Sequence, residues 1–418
     1  MTTANSPKPR RALVIGASMA GLFATSLLQR AGWKAEVYER TPVELFGRGA
    51  GIATHDELLQ ALELSGGSLR DLGITVGERI ALGRDGDIVE RLPFKQIMTS
   101  WDRLHQIMRA TVPDEIHHLD HDLVAVEQTA EGVTARFANG RVEHGDVLVG
   151  ADGYRSVVRQ HYLPDVQPIY AEYVIWRGVA EERDLPPAAH RAIFDKLAFY
   201  LPPHNKVIGY PIAGPDNDLR VGHRRFNWVW YRPLPGALLQ DMLRGDDGIQ
   251  YDVSIPPPKV RQELIDELRR AADAFLPSAF SEVLASIKRP FFTPIYDFTT
   301  PQMAFGRVAL IGDAAALARP HIGMGISKAA SDAVALSECL ADPAIPVADA
   351  LARFNSMRIP VGEKTVRRGR DLGAYMLPHP PEDKADIDWS QFHSIRGILT
   401  HTASSAFLRP DAASAASR

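Results

Sequence analysis

Three apolar runs in this sequence each end at a carboxylate. Val308 to Ile311 leads into Gly312-Asp313, Asp146 to Val149 leads through Gly150 into Asp152-Gly153, and Ala35 to Tyr38 leads into Glu39. A buried strand that delivers a carboxylate to a loop presents a hydrogen-bond acceptor at the sheet edge, suited to ligand hydroxyls. After Asp313 the chain crosses a loop containing Pro320, His321, Gly323, Met324, Gly325 and Ile326, then enters the helical run Ser327 to Leu340. Backbone amides at a helix N-terminus favour anionic or electron-rich groups. Taken alone, this stretch also fits a plain structural crossover, so its context decides between the two.

The context lies at the other end of the chain. Ala12–Ile15 reads as a strand, Gly16-Ala-Ser-Met-Ala-Gly21 as a tight turn into a helix running to Arg30, and Ala35–Tyr38 as a second strand ending at Glu39. This is a dinucleotide-binding βαβ pattern with Ser18 at the usual middle glycine. Gly16 permits the turn, Gly21 permits close helix packing, and a pyrophosphate would rest on the helix N-terminus. Glu39 stands at the spacing expected for an acceptor of a ribose diol. Gly47-Arg-Gly-Ala-Gly-Ile52 follows, where Arg48 would pair with a pyrophosphate or else be an ordinary solvated loop arginine.

The chain has 418 residues, 45% hydrophobic and 23% charged, enough for two interleaved domains of a soluble globular protein. A net charge of −4 from 47 basic and 51 acidic residues, with no long basic block, argues against a nucleic-acid partner. Apolar runs are too short for a membrane span, and Met1 to Arg11 makes a poor signal peptide. Cys339 is the only cysteine, which excludes an internal disulfide and cysteine-rich zinc sites and points to a reducing cytoplasm. The cluster Glu115 to Asp122, with three histidines, has the composition of a metal site but reads as a polar lead-in to the strand Leu123–Gln128.

Leu123–Gln128, Gly132–Phe137, the Asn139-Gly140 turn and Asp146–Val149 read as a meander. Val76 to Leu92 reads as two strands joined at Asp85-Gly86 and marks a first excursion into a second domain. Tyr173–Val179, Ala198–Leu201, Lys206–Pro211 and Leu219–Tyr231 then read as alternating strands of a sheet with one face over a ligand. Along the last strand, one face carries His223, Arg225, Asn227 and Tyr231, and the other Arg224, Phe226, Trp228 and Trp230. Gln262–Phe275 reads as a helix, Ala350 to Leu372 as a helix interrupted near Pro360, and the Ala/Ser-rich end after Leu377 as a loosely packed tail.

The order and spacing of Gly16–Gly21 with Glu39, Asp152-Gly153, and Gly312-Asp313 with Pro320–Gly325 resemble the class A flavoprotein aromatic hydroxylases, over roughly residues 11 to 370. Within that group the chain is most similar to 2,6-dihydroxypyridine 3-monooxygenases, on Gly-x-Ser-x-x-Gly, Arg48-Gly-x-Gly-Ile, Trp176-Arg177-Gly178, Tyr210-Pro211-Ile212 and Arg319-Pro320-His321. It departs from the usual motifs at Trp101-Asp-Arg-Leu104, where Arg-x-x-Leu is common, and at Gly323-Met-Gly-Ile-Ser327, where Gly-Gln-Gly-x-Asn is common. The resemblance implies an α/β fold with α+β elements: a Rossmann-like FAD domain (1–75, 98–168 and 290–372), an interleaved β-sheet substrate domain (76–97 and 169–289) and a C-terminal segment (373–418).

It also implies roles by position. Gly16, Ser18, Met19, Gly21, Glu39, Arg40, Arg48, Gly51 and Leu123 would serve FAD binding, with Ser18, Met19, Glu39 and Arg40 on the adenosine half. Asp152-Gly153 would face FAD and the nicotinamide cofactor, Gly312-Asp313 the ribityl chain, and Pro320 with Gly323 to Ile326 the isoalloxazine ring. NADH or NADPH would visit as a transient co-substrate, and O2 would react by way of a flavin hydroperoxide to hydroxylate an electron-rich hydroxypyridine-like ring. His321 is the first candidate for the base that activates a ring hydroxyl, followed by His55 and Tyr210, with Trp176, Arg224 and Trp228 as substrate contacts. A flavin-dependent reductase or oxidase, or a halogenase suggested by Trp228-Val-Trp-Tyr-Arg-Pro233, is the alternative on the same fold. A homodimer is compatible with this reading.

Overall fold

The computed structural model describes residues 10–45, 51–377 and 390–409. Arg11–Ile15 is the central strand of a six-stranded sheet ordered Ala304–Phe305, Val308–Leu310, Val147–Gly150, Arg11–Ile15, Lys34–Tyr38 and His117–His118. Neighbouring strands pair parallel throughout except at the outer Ala304–Phe305 hairpin. Such strands are buried on both faces, and Ala12, Leu13 and Val14 are fully so. The helix Met19–Arg30 covers one face together with Gly325–Leu340. Gly16 turns the chain at φ +98°, and a Cβ there would sit 2.6 Å from the Ala151 carbonyl oxygen. A Cβ on Gly21 would sit 1.8 Å from the Gly16 oxygen, so the turn and the helix start require both glycines.

The second sheet has nine strands, ordered Ala316–Leu317, Phe291–Thr299, Ile169–Glu181, Arg225–Pro233, Lys206–Ile212, Leu197–Tyr200, Ile74–Leu82, Ile88–Ser100 and Gly51–Ala53. It is mostly antiparallel, and its alternation sends side chains to two different cores. Trp176, Phe226, Trp228 and Trp230 face the helices Pro187–Ile193, Gln262–Phe275 and Ser278–Ser286. Tyr173, Ile208, Val229 and Tyr231 face the other way, where Ile398, Leu399 and Ala403 from the C-terminal end pack against them.

Several sequence expectations are corrected here. The three-stranded meander is Leu123–Gln128, Val133–Phe137 and Val142–Gly145, because Val147–Gly150 is drawn into the parallel sheet beside Arg11–Ile15. Phe291–Thr299, placed by sequence with the first domain, is a strand of the nine-stranded sheet. Val347–Gly373 is one continuous helix with Pro360 inside it, although proline lacks an intrahelical donor and crowds the preceding turn. Residues 390–409 are packed against the second sheet rather than loose, whereas 378–389 and 410–418 lie outside the described residues. Among the described residues no helix is long and apolar enough to cross a membrane.

A buried ionic cluster joins the first sheet to its covering helices. Asp332, 1% exposed, accepts from Lys328 Nζ (2.8 Å), Arg358 Nε (2.8 Å) and the backbone N–H of Gly312 (3.0 Å). Lys328 also donates to the Gly312 carbonyl at 2.9 Å, so the turn that carries Asp313 is held on both sides. Burial alone would raise the Asp332 carboxyl, but Lys328 and Arg358 outweigh it and the net shift is downward. Its contribution to stability is therefore present at neutral pH and lost as pH falls through the folded value. Asp332→Ala should cost about 3–5 kcal/mol, because it strands a buried ammonium. Urea unfolding checks this, and a loss below about 1 kcal/mol would contradict the role given to the cluster.

Candidate active site

The carboxyl ends of the parallel strands open onto a groove of about 380 Å³. Gly16, Ser18, Glu39, Arg40, Leu123, Asp152 and Gly153 are brought together along it. Ser18 caps the first helix by position but makes no side-chain cap bond, leaving its hydroxyl beside the groove. Glu39 is the end-of-strand carboxylate: Oε2 accepts from the Ala17 N–H (2.9 Å) and Oε1 from Thr41 N and Oγ1 (3.1 and 3.0 Å). Asp152 Oδ2 accepts from Val157 N (2.8 Å) at the start of the helix Val157–Tyr162, whose cap is Ser156, while its buried Oδ1 has no partner among the described residues. Burial pushes this carboxyl up, against bonds from Ser156 and nearby amides. Met19, Gly21 and Gly312 stand behind the groove in the packing, and Arg48 lies outside the described residues.

Tyr154 and Ser254 are shared with a second cavity of about 400 Å³, so the two spaces adjoin. One wall is the loop with Asp313, Pro320, His321, Gly323, Met324, Gly325 and Ile326, and the opposite wall is the nine-stranded sheet. Asp313 has no hydrogen-bond partner among the described residues, and burial pushes its carboxyl up, with Lys328 acting in the opposite direction. A carboxylate without a partner among the described residues in the cavity wall is a fit acceptor for a polyol chain. The paired spaces, the amide-lined turn at Gly16 and the unfilled acceptors of Asp152 and Asp313 fit an extended dinucleotide such as FAD.

The sheet wall of the cavity carries Arg177, Ile208, Tyr210, Asn227, Val229 and Tyr231. Arg177 has no carboxylate partner among the described residues, and its buried Nε is unpaired. Asn227 Oδ1 accepts from the Gly51 N–H at 3.0 Å, and Gly51 lies so close to Tyr210 that a Cβ would come within 2.4 Å of the ring. Burial pushes the Tyr210 phenol up, with Arg177 pulling the other way, so it stays protonated and serves as a donor, not the base.

His321 is fully buried, its ring stacked on Tyr231 with centroids 4.6 Å apart. Its Nε2 is 2.8 Å from the Tyr173 hydroxyl. Arg319, tied to Asp297 at 2.6 Å, lies beside the Tyr173 ring, and burial keeps the Tyr173 phenol protonated, so its hydroxyl can donate to Nε2. Its other ring nitrogen, Nδ1, is buried and has no partner among the described residues. Burial, with the Lys206 and Arg319 charges adding to it, holds His321 well below its ordinary value. His321 is thus a neutral imidazole at the cavity wall, and burial makes it a weaker base than an ordinary histidine.

His55 is not in the cavity. It sits behind the loop, with Nδ1 2.9 Å from Ser327 Oγ, and lines a separate pocket with Gln96 and Ser404. Burial lowers it to about 4, so it too is neutral at physiological pH. Trp176, Trp228 and Arg224 are on the far face of the sheet, because strand alternation sends them opposite to Arg177, Asn227 and Tyr231. Arg224 is already taken by Glu182 through two bonds of 2.9 and 2.6 Å. Trp101 stacks on His105, and Arg103 donates to Gln106 and the Arg70 carbonyl, so neither reaches the groove. Sequence reasoning missed Arg177 and Asn227, visible as members of the opposite face, and Thr402 and Ala403, which no motif marks.

Comparison with known proteins agrees with this geometry. A family described as FAD binding domain-like matches residues 170–297, and one described as FAD binding domain matches 252–369. The chain is 31% identical to 2,6-dihydroxypyridine 3-monooxygenase of Paenarthrobacter nicotinovorans over 335 residues, 80% of this chain and 83% of that protein. It is 29% identical to 3-amino-4-hydroxybenzoate 2-monooxygenase of Streptomyces cremeus, over 89% of each. The solved 2,6-dihydroxypyridine-3-hydroxylase of Arthrobacter nicotinovorans superposes with a TM-score of 0.83 at 29% identity, covering 89% of this chain and 93% of that one. Klebsiella pneumoniae HpxO, solved with FAD and uric acid, shares the fold at 22% identity and a TM-score of 0.70. With an FAD-shaped groove leading into a ring-sized cavity, and relatives of this kind over four fifths of its length, the chain belongs to the FAD-dependent aromatic-ring hydroxylases, flavoprotein monooxygenases that use NAD(P)H and O2.

Proposed function

We propose that this enzyme hydroxylates an electron-rich, hydroxylated N-heteroaromatic ring of the hydroxypyridine class. The observation that carries the reading is the cavity wall itself: Arg177, with no carboxylate partner among the described residues, and a neutral imidazole, His321, set among aliphatic and tyrosine side chains. Such a wall excludes water, accepts a flat ring, and favours one whose oxygen carries negative charge. The kinship to a 2,6-dihydroxypyridine 3-monooxygenase supports the same ring class.

FAD, when bound, supplies the activation of O2 and the transfer of one oxygen atom to the ring. The chain's residues do the rest. Gly16, Ser18, Glu39, Arg40 and Leu123 would hold FAD, with Ser18, Glu39 and Arg40 on its adenosine half; Asp152 would accept through its free Oδ1, and Asp313 would accept from the ribityl hydroxyls. Gly323 to Ile326 would lie beside the flavin ring, and the space between this loop and the sheet would take the substrate. Arg177 offsets charge on the ring, and His321 donates Nδ1–H to a ring oxygen, fixing its rotation.

NAD(P)H and O2 consumption by the purified flavoprotein, measured over a panel of hydroxypyridines and phenols with product masses, tests the reading. A hydroxypyridine that accelerates NAD(P)H oxidation and gains one oxygen is the expected result. Acceleration only by carbocyclic phenols would refute the ring class. His321→Ala should lower the rate of product formation about tenfold to a hundredfold, the worth of one donor to a charged oxygen, while FAD stays bound. Unchanged product formation would remove His321 from the site. Asp313→Ala should weaken FAD retention on a desalting column, and full retention would undo that assignment.

A further inference from the structure

Burial makes His321 a weak base, and a second group stands behind the cavity wall as a proton acceptor for a ring hydroxyl. Lys206 is 1% exposed on the strand Lys206–Ile212 and has no carboxylate partner among the described residues. Its Nζ donates to Thr402 Oγ1 at 2.8 Å, and Thr402 is a residue of the cavity wall. The Thr402 hydroxyl hydrogen is committed to no acceptor among the described residues, so it can turn toward either the amine or the cavity.

The placement of Thr402 is tightly held. Buried Arg79 donates to the carbonyls of Leu399, Thr402 and Ala403, Gln96 Nε2 donates to the Ala403 carbonyl (3.0 Å), and the Ala403 N–H donates to the His321 carbonyl (3.2 Å). Thus the C-terminal segment closes the cavity beside the His321 loop. The groups facing the Lys206 amine are Arg79 from the strand Ile74–Leu82, the rings of Phe199 and Tyr231 at 5.9 and 5.8 Å, His321 and Thr402, none of them anionic. A buried amine in such company favours its neutral form; burial, followed by the Arg79 charge, pulls Lys206 down to about 7.

We propose that Lys206, acting through the Thr402 hydroxyl, takes the proton from the substrate's ring hydroxyl. The proposal rests on the ring-hydroxylase reading and deepens it. The ring O–H bond breaks as its proton bonds to Thr402 Oγ1, and the hydrogen already on Oγ1 passes to Lys206 Nζ. The electron pair stays on the ring oxygen, the amine becomes an ammonium, and no redox partner is involved. The ring oxyanion is a stronger electron donor toward oxygen transfer, and Arg177 and the new ammonium offset its charge. Lys206 is a positioning residue in this scheme, since Thr402 stands between it and the ring.

The test uses the FAD holoenzyme, its Lys206→Met and Thr402→Val variants, and 2,6-dihydroxypyridine as the probe. In the wild type, kcat/KM should rise with pH through about 7 as Lys206 loses its proton. Both variants should lose that limb and fall about a hundredfold below it, with the gap closing at higher pH where the ring ionises unaided. The absorbance of the probe bound to the oxidised holoenzyme gives a second readout without turnover: ionised ring in the wild type near neutrality, neutral ring in both variants. A uniform loss at every pH, or an ionised ring bound to Lys206→Met, would overturn the proposal. Failure of the wild type to bind or oxygenate any hydroxypyridine would instead remove the ring assignment, and this step with it.

Discussion

The buried carboxylate of Asp332 is the constraint on which the site depends. It neutralises Lys328 and Arg358 inside the protein and takes the N–H of Gly312, while Lys328 takes the carbonyl of the same residue. A charge cluster this deep tolerates only one arrangement of its donors, because any displacement leaves an ion unpaired in low dielectric. The consequence is a fixed crossover from the strand Val308–Leu310 to the helix Gly325–Leu340, with Asp313 and the His321 loop between them. Both ends of the cavity wall inherit their position from this turn.

The facing wall is fixed by a different device. Arg79, Gln96 and Lys206 all reach from the nine-stranded sheet to the carbonyls and hydroxyl around Thr402 and Ala403. Ala403 in turn holds the His321 backbone. The cavity is therefore closed by contacts among three sequence-distant segments: the strands near residues 79 to 96 and 206, the loop at 321, and the segment at 402. Among the buried polar atoms left without a partner among the described residues, Arg177 Nε, His321 Nδ1 and Asp152 Oδ1 belong to residues that border the groove or the cavity. Unpaired buried donors and acceptors are costly unless a ligand completes them, which is why they mark the site.

The nucleotide end of the site was legible in the sequence because its signals are local. Gly16, Gly21 and Glu39 are set by one turn, one helix contact and one strand end, all within thirty residues. The ring end was less legible. Alternation along Arg225–Pro233 separates Phe226, Trp228 and Trp230 from Asn227 and Tyr231, but both faces are apolar, and alternation does not say which core receives a ligand. The tryptophans are instead core, covered by three helices, one before this strand in the chain and two after it. The role of residues 395–408 was hidden for a related reason. Their Ala/Ser-rich composition resembles a tail, and what orders them is a set of buried donors from strands more than 150 residues away.

These observations converge on one claim: the substrate ring lies between the His321 loop and the sheet face carrying Arg177, Tyr210 and Asn227. A crystal structure of the oxidised FAD enzyme with a bound hydroxypyridine tests it most directly. The account predicts the ring against that face, with a ring oxygen within hydrogen-bonding distance of His321 Nδ1 and another polar atom near Thr402 Oγ1. A ring seated instead against Trp176 and Trp228 on the opposite face, or in the pocket beside His55, would contradict it.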